Sequence, residues 1–159
     1  MSWDKVAIVA LAVTLGVLLL AAGIEDARTR EIANRKNAAI ALLAPFWWWA
    51  QGLGWGEIGV QLLVALAVFA VFAAAFACGW MGGGDVKMIA ALALWLPLGG
   101  LIDMLMLMSV LGGAITVAMM IERRWQRRIG AVEIPYGVAI AAAALLALPA
   151  TLPAPLAAG

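Results

Sequence analysis

Residues 57–79, EIGVQLLVALAVFAVFAAAFACG, contain no Lys or Arg, and their single acid, Glu57, stands at the very start. As a helix this stretch rises about 34 Å, enough to cross a hydrocarbon layer of about 30 Å. Similar apolar runs lie on either side, at about 6–24, 38–50, 86–98, 100–121 and 134–152. The runs at 38–50 and 86–98 are short for a span and need neighbouring Gly and Trp residues or a thinned bilayer to cross. The rest of the composition agrees. Hydrophobic residues make up 67% of the 159, charged residues 12%, and the mean hydropathy is +1.07. A soluble domain carries about 25% charged residues, and no part of this chain supplies such a polar shell. The expectation is an all-α integral membrane protein, one transmembrane domain over residues 1–159 with about six helices.

The placement of charge gives the orientation. Arg28, Arg30, Arg35 and Lys36 occupy the first break, Lys87 the third, and Arg123, Arg124, Arg127 and Arg128 the fifth. The second and fourth breaks and the C-terminal tail have none. Basic loops that alternate in this way fit six crossings, with the basic loops in the cytoplasm and both termini outside. Trp3, Trp47, Trp48, Trp49, Trp55 and Trp95 then fall near outer ends, with Trp80 and Trp125 near inner ends, as indoles at headgroup level would. An apolar run ending at Gly23 also has the outline of a signal peptide, but it is long for one and cleavage would break the alternation.

With no histidine and the lone cysteine Cys78, His-based triads, His-ligated metals, internal disulfides and cysteine-rich zinc sites are excluded. The net charge of +1 gives no reason to expect a nucleic-acid partner. The acids are more informative. Asp26 falls at the inner mouth of the first span and Asp85 at the inner mouth of the fourth, so the topology brings both to one face of the membrane. Two such carboxylates suit a hydrolase in which one activates water while its protonated partner polarises a scissile carbonyl. Glu25 adjoins Asp26, and spans shifted by one residue would exchange their facings. Gly82-Gly83-Gly84 leaves backbone open beside Asp85. On residue chemistry alone this is either close approach to an extended peptide or a tight start to a helix with Asp85 as its N-cap.

Gly82-Gly83-Gly84-Asp85-Val86-Lys87 resembles the Gly-x-Gly-Asp-x-Lys signature of the type IV prepilin peptidases, the GxGD aspartic proteases of the bacterial inner membrane. Asp26-Ala27-Arg28-Thr29-Arg30-Glu31-Ile32-Ala33-Asn34 resembles their other signature, with Ala33 where a proline usually stands, and Ile134-Pro135-Tyr136-Gly137 is similar to the run that opens their last helix. The resemblance implies Asp26 and Asp85 as the catalytic pair, with Gly82, Gly84, Lys87, Arg28 and Arg30 in support, and neither metal nor other cofactor. It implies cleavage of one peptide bond at the cytosolic face, releasing the short basic leader of a prepilin or pseudopilin. The expected substrate has a Gly at the end of its leader and a hydrophobic helix after it. Longer relatives carry an additional N-terminal cytosolic region with paired cysteines and also N-methylate the new terminus. This chain looks like the short branch of tight-adherence (Flp-type) pili, for which methylation is not expected. Asp103 and Glu133 read as a headgroup-level acid and a helix-start acid, and the basic loops as lipid-facing. A non-enzymatic pilus-assembly protein and a small transporter are the competing readings. The lack of a mid-bilayer acid weighs against the second, and oligomeric state stays open.

Overall fold

The computed structural model describes residues 3–126 and 135–152. It holds six α-helices: α1 (Trp3–Thr29), α2 (Asn34–Gln51), α3 (Trp55–Ala77), α4 (Gly83–Ala93), α5 (Leu98–Gln126) and α6 (Tyr136–Ala147), with a 3-10 turn at Leu148–Thr151. Three of them, α1, α3 and α5, are long and apolar enough to cross a membrane by themselves. Two helix ends use the same device. At Gly52 (φ 70°) and Gly79 (φ 74°) the chain turns left-handed. The N–H of Leu53 then reaches Trp48 O and that of Trp80 reaches Ala75 O, closing Schellman-type ends that tie up free carbonyls. Glu57 closes the start of α3 by accepting the Gly54 N–H at 2.7 Å.

The long helices lie outside and short ones inside. Helix α4 packs on α2, α3 and α6, and α6 packs on α1, α4 and α5. Seven residues of α4 are buried, against Ala65 alone in α3. Small residues let the backbones approach: a Cβ on Gly23 would stand 3.2 Å from Ala141 Cβ, and one on Gly112 3.2 Å from the Tyr136 ring.

The two short runs, left open by the sequence, differ here. The fourth run is not a full-length helical span: α4 has 11 residues, about 16 Å of helix. It ends inside the protein, where the carbonyls of its last turn have no water to bind. Side chains from its neighbours bind them instead. Trp48 Nε1 donates to Leu94 O at 2.7 Å, and Gln61 Nε2 donates to Ala93 O at 2.7 Å and also to Leu96 O. The second run, by contrast, is a regular helix longer than its apolar part, 18 residues with Pro45 inside it. The tryptophans also divide differently. Trp47, Trp48 and Trp95 are buried, the rings of Trp47 and Trp95 lie 5.2 Å apart, and Trp95 Nε1 donates to Ile40 O at 2.8 Å. All three fill the core, and Trp48 and Trp95 also satisfy backbone carbonyls, whereas Trp3, Trp49, Trp55, Trp80 and Trp125 are exposed as interfacial indoles would be.

Candidate active site

Asp26 lies in the last turn of α1 and Asp85 in the first turn of α4, 5% and 8% exposed. Although 59 positions apart in sequence, both line one cavity of about 710 Å³, together with Arg30, Asn34, the Gly82–Gly84 backbone and Tyr136. The two carboxylates are close enough to interact electrostatically.

Asp26 is held from α6. Its Oδ2 accepts the Val138 N–H at 3.1 Å, and the Gly137 N–H also interacts with it. Both donors belong to the first turn of α6, whose N–H groups have no carbonyl four residues back within the helix and suit a carboxylate; that of Val138 is shared with Pro135 O at 3.2 Å. Gly137 is the residue that permits this approach, since a Cβ there would stand 2.8 Å from Asp26 Cγ and 2.7 Å from Ile32 Cδ1. The Pro-Tyr-Gly run therefore does more than open a helix. Its signal was present in the sequence, but nothing in it pointed at Asp26.

Asp85 is not the N-cap of α4. Gly82 caps the helix in extended conformation, and Asp85 stands three positions later, where its carboxylate leans back onto the Gly82 N–H. Gly84 has a close neighbour, and it is the chain itself. A Cβ there would stand 3.3 Å from Ile32 Cβ and 3.5 Å from the Ile32 backbone N and O. The Gly84 carbonyl also accepts Asn37 Nδ2 at 3.0 Å. So the glycine run locks the start of α4 against the α1–α2 connection.

That connection carries the other expected residues. Arg30 lines the cavity in a left-handed conformation (φ 59°) that closes α1, its N–H on Asp26 O at 2.9 Å, and its charge acts on Asp26. Arg28 is exposed and does not line the cavity. Ala33 has φ −61°, the angle proline would impose, so α2 starts normally without it. Its N–H, which proline lacks, donates to Glu25 Oε2 at 3.0 Å, and Lys36 Nζ joins the same oxygen at 2.9 Å. Glu25 thus staples α1 to α2 and stays out of the cavity that Asp26 lines. Lys87 does not reach the cavity either. Its Nζ donates to Asn34 Oδ1 at 2.8 Å, so any influence on the aspartates passes through Asn34. Asp103 is exposed on α5, away from the cavity. Glu133, Ile134, Arg127 and Arg128 lie outside the described residues.

Searches of curated proteins and of solved structures gave no significant match. The sequence model of the type IV leader peptidase family matches residues 13–117, which include Asp26, Asp85 and, apart from the first ten residues of α1, every helix around their cavity except α6. With a match over about two thirds of its length, the chain belongs to the type IV leader peptidase family.

Proposed function

We propose that this leader peptidase is an aspartic endopeptidase of the bacterial inner membrane, in which Asp26 and Asp85 cut the basic leader from a prepilin at the cytosolic face. The observation that carries the reading is the meeting of two buried carboxylates from distant helices in one cavity. Between them they hold one proton. The ionised carboxylate takes a proton from water as its oxygen attacks the scissile carbonyl, and the protonated one hydrogen-bonds the carbonyl oxygen. Collapse of the tetrahedral intermediate breaks the C–N bond, and the departing amine takes up a proton from the pair. The first turn of α6 keeps Asp26 in place throughout, through the Val138 N–H.

The rest of the proposal concerns setting. The chain crosses the membrane six times with both termini outside, its basic loops cytosolic. The crossing that begins with α4 is completed by turns at Leu94–Pro97, where Trp95 and Leu96 are buried in protein, as irregular backbone at membrane depth must be. The mature pilin is released without N-methylation, which the mass of its N-terminal peptide reads directly.

The test is leader removal from a co-expressed prepilin. Asp26→Asn and Asp85→Asn each keep the shape of the side chain and lose the exchangeable proton. Each is expected to insert normally and to lower cleavage at least about a hundredfold. Cleavage by Asp85→Asn at near the unmutated rate would rule out the two-aspartate mechanism and favour an assembly role.

A further inference from the structure

A second cavity, about 460 Å³, lies on the flank of the molecule where α2 and α3 both pack on α4 but scarcely on each other. Its walls are Ala38 and Ala41 from α2 and Ala65 and Phe69 from α3, and its floor is Ala90 from α4 and Leu94 just beyond its end. One end is polar, formed by Asn34, Asn37 and Lys87. Asn34 also lines the aspartate cavity, so the groove and that cavity share this side chain. Asn37 is 4% exposed, and its Oδ1 is the one buried side-chain polar atom among the described residues without a hydrogen-bond partner.

We propose that this groove docks the hydrophobic helix of the substrate, starting beside Asn37, with the chain ahead of it passing Asn34 to reach Asp26 and Asp85. The inference rests on the leader-peptidase reading above and adds the route by which the substrate arrives. Three properties of the groove select a helix. Its alanines permit the close backbone approach by which helices associate in lipid, where apolar surface alone gives no drive. Its polar atoms gather at the end nearer the aspartates, where a peptide must leave helical conformation to be cut. And Asn37 Oδ1 has no donor among the described residues. The first four N–H groups of any helix lack acceptors within that helix, so a helix start placed there meets the need, and a lipid tail does not. Asn34 and Asn37 are one turn apart on α2, about 4.5 Å along its axis. The scissile bond therefore lies within a few residues of the docked helix start.

Two experiments on the full chain in proteoliposomes test this. The first compares a whole prepilin with a short peptide that has the leader and cleavage site but no apolar helix. Ala41→Leu and Ala90→Leu narrow the groove, and each is expected to lower prepilin cleavage about tenfold more than peptide cleavage, equivalent to about 1.4 kcal/mol of lost docking. Leu42→Ala, on the exposed flank of α2, is expected to leave the ratio of the two rates unchanged. Equal losses on both substrates, or no loss on either, would overturn the proposal. The second experiment does not depend on cleavage. In a Cys78→Ser, Asp85→Asn background, Ala41→Cys is expected to cross-link to single cysteines along the prepilin helix with a period of three to four residues. Cross-linking from Leu42→Cys and not from Ala41→Cys would place the substrate elsewhere. A phospholipid that copurifies with the parent chain and is lost in Ala41→Leu, with the cleavage ratio unchanged, would make the groove a lipid site. If neither substrate is cut by the parent chain the peptidase reading itself fails, while the cross-links still report whether the helix docks.

Discussion

At the scale of single residues, three glycines near the aspartates differ in what they touch. Gly83 faces the Phe76 ring, 3.4 Å or more from a built Cβ, which is ordinary contact, so Gly83→Ala is expected to be tolerated. Gly84→Ala presses on Ile32 Cβ, 3.3 Å away and fixed to the backbone, and is expected to cost about 1–3 kcal/mol of stability. Its effect on cleavage should then follow the displacement of α4 and not the blocking of a peptide path. Gly137→Ala is the severe case, because the added methyl meets the Asp26 carboxylate itself. Leader cleavage per folded protein is expected to fall at least about a hundredfold, as for loss of a catalytic acid or base. Parity of Gly137→Ala with Gly83→Ala would show that α6 does not hold the aspartate. Glu25 and Asp26 are neighbours of like chemistry and different surroundings. Glu25→Gln keeps an oxygen for the Ala33 N–H but weakens the contact with Lys36, and cleavage should stay within about threefold of the parent, in line with a part-exposed ion pair. Residue chemistry alone offered both acids equally, and only the resemblance chose Asp26; which of them lines the cavity depends on the face that α1 turns toward α6.

At the scale of elements, the informative helix is α4. A chain that stops helical structure after 11 residues within a membrane protein must bind its free carbonyls with something other than water. Trp48 and Gln61 do so from two different helices. Gln61→Leu makes α3 more apolar, and a hydropathy argument alone would predict better insertion. It also leaves the Ala93 and Leu96 carbonyls without that donor, at a cost of about 1–3 kcal/mol. The expected result is a lower thermal midpoint in detergent, whereas Leu63→Ala on the exposed face of α3 should shift it little. A Gln61→Leu midpoint equal to that of the parent would mean that the α4 end is satisfied in another way. The polar Gln61 inside an otherwise apolar run was visible in the sequence. Its partners were not, because they lie 32 and 35 positions away, at the end of α4 and in the turn after it.

At the scale of the whole molecule, the six-crossing topology is tested by reporter fusions. Fusions after Gly54 and after Gly159 are expected to be active on the periplasmic side, and one after Arg128 on the cytosolic side. A cytosolic C-terminus would overturn the proposed arrangement, since nine of the ten basic residues would then need another explanation. The helices themselves were legible because each is a local property of the chain. Apolar runs, a Gly where the backbone turns left-handed and an acid in the first turn of α3 or α4 can all be read along a line. The two signature stretches around Asp26 and Asp85 were legible for the same reason, being continuous in sequence. Other features depend on which helix lies against which. These include the burial of three tryptophans whose positions near run ends suggested the interface, the capping of α4 by side chains of α2 and α3, and the grip of the α6 N–H groups on Asp26. In a bilayer nearly every residue is apolar, so the contrast between inside and outside that orients helices in a soluble protein is weak. Small residues and a few buried polar groups make the choice instead, and their partners become identifiable only when the helices are packed.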